Sequence, residues 1–193
     1  MIAGNLEYLM NSLPYLSFQD TEEARSKVRS LLKRYAHPSE GEKNTLTILN
    51  EEAKKFLTPK DYHLFEHIHL STIHSEHFQH SENKVLAEFS TYMQDLKENI
   101  GRLRIFRKNS EKTSTTKKPP LPLEPGTPLE EEIQLLNWQW KKLEELSLGH
   151  YTDFGALVIY RLKLLLLERW WSFDQEQGFV NFLNATKMTP HGR

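Results

Sequence analysis

The sequence contains no cysteine. Disulfides, thiolate metal sites and a cysteine nucleophile are therefore excluded. It also has no excess of one charge: 25 Lys and Arg stand against 26 Asp and Glu, a net charge of -1. Nothing in that balance points to nucleic acid or to anionic lipid, and no nucleic-acid partner is expected. The opening MIAGNLEYLMNSLPYLSF has neither a basic n-region nor a long apolar run, and Glu7 and Pro14 interrupt it. No secretory signal is expected there. Long uncharged apolar runs are missing as well. The most apolar stretch, FGALVIYRLKLLLLERWW from Phe154 to Trp171, carries Arg161, Lys163, Glu168 and Arg169. A spanning helix needs roughly 20 mainly apolar residues, and each central charge would cost about 2.5–3.5 kcal/mol. Direct membrane insertion is thus not expected, and this stretch has to be buried by protein.

Several catalytic signatures are absent too. There is no G-x-x-x-x-G-K-[ST] phosphate loop, no G-x-G-x-x-G and no G-x-S-x-G elbow. The basic run Arg107 to Lys118 lies in a polar segment that also holds Glu111, and reads as solvated linker. Strand alternation is not evident beyond Leu6 to Phe18, which fits a short helix or an extended segment.

What is present is helix. Asp20 and Glu23 have capping-box spacing and predict a helix over DTEEARSKVRSLLKRYA. A second covers Thr45 to Phe56. In TPKD, Thr58 is the N-cap and Pro59 the first helical residue. In SENKVLAEFSTYMQDLKENIGRLRIF, Leu86, Phe89, Met93, Leu96, Ile100 and Leu103 recur at alternating spacings of 3 and 4 and make one apolar seam. Gly101 weakens this helix by roughly 1 kcal/mol relative to alanine without having to end it. Thr127-Pro128 restarts helix by the same signal, with a seam of Leu129, Ile133, Leu136, Trp140 and Leu143. Gly149 is the expected C-cap, and Thr152 or Asp153 caps the last helix. The expected fold is all-α: an antiparallel helical bundle with a long internal linker. Residues 1–106 form an N-terminal helical region, 107–127 a polar and proline-rich linker, and 128–193 a C-terminal region that packs on the first as one composite domain.

On a 100° wheel Arg161, Glu168 and Ser172 fall in a narrow stripe, with Arg169 on its flank and Lys163 nearly opposite. The stripe is expected to face outward. Trp170 and Trp171 point to different sides, so one can fill the core while the other, beside Arg169, faces out.

The segment DYHLFEHIHLSTIHSEHFQH holds six histidines. His63, Glu66 and His67 match H-x-x-E-H, the inverted zinc-protease pattern. In that alternative His63 and His67 bind zinc on one helical face, Glu66 is the general base and Glu144 supplies the third ligand. The competing reading is a histidine-rich polar helix and turn whose surface responds to pH below about 6.5.

Two parts of the chain together resemble a family of short, uncharacterised bacterial proteins associated with V/A-type ATPases. One is Tyr8 followed by Ser12-Leu13-Pro14. The other is Gly149, His150, Tyr151, Asp153, Ala156 and Leu157, leading into Leu167 to Trp170. Tyr160, Lys163, Glu168 and Arg169 are also similar to a tyrosine and Lys-Glu-Arg run in the C-terminal helix of the ATPase's spacer subunit, the helical protein that joins the membrane rotor ring to the central stalk. The resemblance implies a non-catalytic, cofactor-free component of a rotary ATPase, cytoplasmic and peripheral to the membrane complex. It would act as a helical spacer or adaptor in ATP-coupled proton or sodium transport. Its partners would be V/A-type ATPase subunits of the central stalk or membrane rotor. His150, Tyr151, Arg161, Lys163, Glu168, Arg169 and Trp170 would be its interface residues. A stand-alone helical scaffold binding some other protein fits the same residues.

Overall fold

The computed structural model describes residues 6–35, 44–110 and 118–173. They form eight helices: α1 (Leu6–Ser12), α2 (Glu22–Lys33), α3 (Thr45–Phe56), α4 (Pro59–Glu66), α5 (Glu76–Gln79), α6 (Lys84–Ser110), α7 (Pro128–Leu146) and α8 (Phe154–Trp171). No strand occurs among the described residues, and the fold they form is all-α.

The helix starts follow local chemistry. The Thr58 hydroxyl accepts from the Asp61 amide at 3.2 Å, with Pro59 as the first helical residue. Thr127 and Glu130 close a full capping box ahead of α7. At α2 the cap lies one residue beyond the expected one: Thr21, not Asp20, accepts from Ala24. The Asp20 carboxylate is instead taken by the Arg25 guanidinium, 2.6 Å from its Nε. A charged guanidinium competes well for a carboxylate and leaves the neutral threonine hydroxyl for the amide.

The core is built round α8. It touches α1, α3, α6 and α7, and 13 of its 18 residues are buried, which leaves it hardly any free face. Each large apolar side chain fully buried there contributes about 1.5–3 kcal/mol. From α6, Leu86 and Phe89 enter this core, and from α7 Leu136, Trp140 and Leu143. The seam of α6 then continues into a second cluster. Leu96 and Leu103 pack there with Leu121 and Leu123, and Ile100, Leu135 and Trp138 lie at its edge.

That second cluster revises the expected linker at both ends. Helix α6 continues through 107–110, and the Arg107 guanidinium grips the Glu131 carboxylate of α7 through two hydrogen bonds of 2.9 Å. Leu121 and Leu123 are buried although prolines surround them. Residues 111–117, in the middle of the expected linker, and residues 174–193 lie outside the described residues. No described helix is long and apolar enough to cross a membrane.

Candidate functional site

The turn between α7 and α8 is a small built unit. Gly149 has φ +87°, a backbone conformation that strongly favours glycine. Asp153 then caps α8: one carboxylate oxygen accepts from the Ala156 amide at 2.8 Å and the other from the His150 ring at 2.5 Å. The imidazole lies on Gly155, where an added Cβ would come within 2.7 Å of Nδ1. His150 is thus a positioning residue. It fixes the turn and leaves its neighbour Tyr151 76% exposed.

Opposite this turn runs the segment after α1. The Tyr160 hydroxyl donates to the Pro14 carbonyl at 3.1 Å, and the Trp171 indole to the Gln19 carbonyl at 3.0 Å. Phe18 sits between Trp140 and Trp170, with ring centroids 5.4 and 4.4 Å away. Residues 13–19 are therefore strapped along α8. Strap and turn border a cleft of about 450 Å³, with Tyr15 and Tyr151 on its rim and Lys163 on its wall. Tyr15 is 81% exposed.

Lys163 does not simply reach for water. Its ammonium lies 4.8 Å from the Trp140 ring centroid and 3.6 Å from Glu144. Burial pulls its pKa down, and the Glu144 carboxylate opposes that. Burial likewise pushes the Tyr160 phenol up, so it stays a neutral donor.

The polar stripe of α8 faces protein over most of its length. Arg161 is 1% exposed, contrary to the outward placement expected of it. Its guanidinium donates to the backbone carbonyls of Ile68 and Glu66, each at 3.1 Å, and to the Asn50 side chain. It also lies 4.7 Å from the Phe65 ring centroid. Burial lowers its pKa to about 10, so it remains charged at neutral pH. Helix α4 ends at Glu66. The arginine therefore satisfies a terminal carbonyl at the negative end of that helix. Glu168, next along the stripe, is half-buried. Burial raises its carboxyl pKa against a Thr45 hydrogen bond and the Arg29 and Arg161 charges. Of the stripe, Ser172 alone is exposed. The wheel puts these residues on one face correctly, but a turn 93 residues away in sequence covers that face.

Arg169 is exposed and donates to Glu132 of α7 at 2.7 Å, while Trp171 fills the core and Trp170 is half-buried. Arg169 and Trp170 thus bind α7 and the strap rather than standing free. Of the seven expected interface residues, His150, Tyr151 and Lys163 meet at the cleft. Arg161 and Glu168 lie on the opposite side, against α3 and the end of α4. Tyr15 joins the site unexpected, although the sequence marks it as a tyrosine directly after Ser12-Leu13-Pro14.

The zinc alternative loses its third ligand. Glu144 is occupied by the Trp140 indole at 2.9 Å and by Lys163. His67 is the C-cap of α4, and its Nδ1 donates to the His63 carbonyl at 2.7 Å. The two rings face each other at 4.4 Å between centroids. No three His, Asp or Glu side chains among the described residues form a metal-holding group.

One histidine is tied to the buried arginine. Partial burial, then the Arg161 charge and His67, hold His69 below the ordinary imidazole value of 6.5. The unfolded chain therefore binds this proton first. Stability from His69 is complete above 6.5 and is lost as pH falls toward the folded value. The urea midpoint of the wild type is expected to drop between about pH 7.5 and 5.5, and His69→Gln to reduce that drop. An identical pH dependence in the variant would remove His69 as a contributor.

Comparison of the chain with protein-family models, with curated proteins and with solved structures returned no match.

Proposed function

We propose that this chain is a non-catalytic helical interaction protein: an accessory or spacer-like component of a V/A-type rotary ATPase, acting as an adaptor on the cytoplasmic side of the membrane complex. One observation carries the reading. The two segments that resemble the ATPase-associated family, far apart in the chain, border one cleft and expose Tyr15 and Tyr151 at its rim. Their backbones are held from behind, through Tyr160, Trp171, His150 and Asp153. Two rigidly presented tyrosines suit a protein interface, because they add contact area at low entropic cost.

The test is association of the full chain with the purified V/A-type ATPase of the same cell, measured by interferometry. Tyr15→Ala/Tyr151→Ala is expected to weaken binding by about 2 kcal/mol or more, with an unchanged Tm because both rings are exposed. No association of the wild type with the intact complex or its central stalk defeats the proposal. Tyrosine-dependent binding to a different purified protein would assign the same face to a stand-alone scaffold.

A further inference from the structure

A second surface lies between α6 and α7, away from the tyrosine cleft. It is a groove of about 540 Å³. Met93 and Ile100 of α6 and Leu135 of α7 line it, all half-buried, so their apolar surface is only partly used by the fold. From Met93 to Arg104 the α6 wall extends for about 16 Å at 1.5 Å per residue, the length of a short helix.

Gly101 opens this wall. A Cβ there would meet nothing within 4 Å, and its backbone is ordinary helix. Neither packing within the chain nor backbone conformation therefore calls for glycine, although glycine weakens a helix interior. What glycine does provide is a low point in the groove where another backbone can come close.

The rim is cationic. Lys97, Arg104 and Arg169 line it, and Glu132 is the single carboxylate among the lining residues, already bound to Arg169 at 2.7 Å. The Lys97 ammonium is 2.7 Å from a ring nitrogen of His74. That partner is not a carboxylate, so the contact leaves the lysine charge uncompensated.

We infer that the α6–α7 groove receives an acidic amphipathic helix from a partner protein, its apolar face on Met93, Ile100 and Leu135, its backbone close to Gly101 and its carboxylates toward Lys97 and Arg104. This is the helix-in-groove mode, with apolar anchors at i, i+3, i+4 and i+7, oriented by complementary charge. The inference rests on the reading of the chain as an interaction protein but not on which partner meets the tyrosines.

The probe is a fluorescent peptide of about 20 residues with leucine at i, i+3, i+4 and i+7 and glutamate on the flanks. Its control carries lysine in place of every glutamate. The full-length chain is expected to bind the acidic peptide at least about tenfold more tightly than the control, a gap that narrows at high salt. Arg104→Glu should weaken the acidic peptide by about tenfold. Gly101→Leu should weaken it as much while raising Tm by about 2–4 °C, because leucine favours helix and fills open space. The Tyr15→Ala/Tyr151→Ala variant should bind the peptide like the wild type, so failure here and failure at the tyrosine face are read separately. Equal binding of acidic and basic peptides, or undiminished binding by Gly101→Leu, overturns the proposal.

Discussion

Arg161→Met is expected to destabilise the chain by about 3–5 kcal/mol and to lower Tm by about 10 °C or more. Methionine fills a similar volume, so the loss comes mainly from polar groups left behind. The carbonyls of Ile68 and Glu66 and the Asn50 side chain all bind this guanidinium. Each buried acceptor stripped of its donor costs about 1–3 kcal/mol. Arg161→Lys should fall between Met and wild type. A single ammonium keeps the charge but lacks the planar fork that reaches several acceptors at once. Urea unfolding followed by circular dichroism gives the ordering. A methionine variant within about 1 kcal/mol of the wild type would mean that the turn after α4 re-satisfies its carbonyls without the arginine.

Trp171→Ala is expected to cost about 3–5 kcal/mol, the usual range for truncating a buried tryptophan. It also removes the indole that holds the Gln19 carbonyl. The effect should be local as well as global: amides of residues 16–19 should lose hydrogen-exchange protection by more than the global change explains. Trp171→Phe separates the two contributions. It keeps most of the packing and loses one hydrogen bond, for about 1 kcal/mol beyond the packing change. If the alanine variant frees no additional exchange in the strap, Tyr160, Phe18 and the buried Leu16 hold the strap without the indole.

Much of the fold is legible in the sequence because its signals are local. Thr58-Pro59 and Thr127-Pro128 each set a helix start by chemistry contained in four residues. The seams of α6 and α7 repeat long enough to define a face without a partner in view. What the sequence hides depends on distant contacts. The last residues of α6 are held by Arg107 on Glu131 of another helix. Leu121 and Leu123 sit in a stretch whose prolines exclude helix but not burial. Arg161 is the sharpest case. Angle arithmetic places it with Glu168 and Ser172, yet whether that stripe meets water or carbonyls is decided by a turn that no periodicity describes. The candidate site is legible as two segments. Their meeting at one cleft requires the long-range hydrogen bonds of Tyr160 and Trp171.

The central position of α8 also bears on how the chain is made. The helices it packs against, α1, α3, α6 and α7 among them, precede it in sequence. During synthesis from the N-terminus those helices can meet one another, α1 with α3 and α6 with α7, but the faces that pack on α8 stay uncovered until it emerges. The loop closed by Trp171 on Gln19 spans 152 residues and forms only once α8 is out. Folding of the whole core is therefore a late event, which favours slow completion and transient chaperone contact on the nascent chain. Ribosome-bound chains ending before Phe154 are expected to be protease-sensitive throughout α1 and α3, and chains that include α8 to be protected.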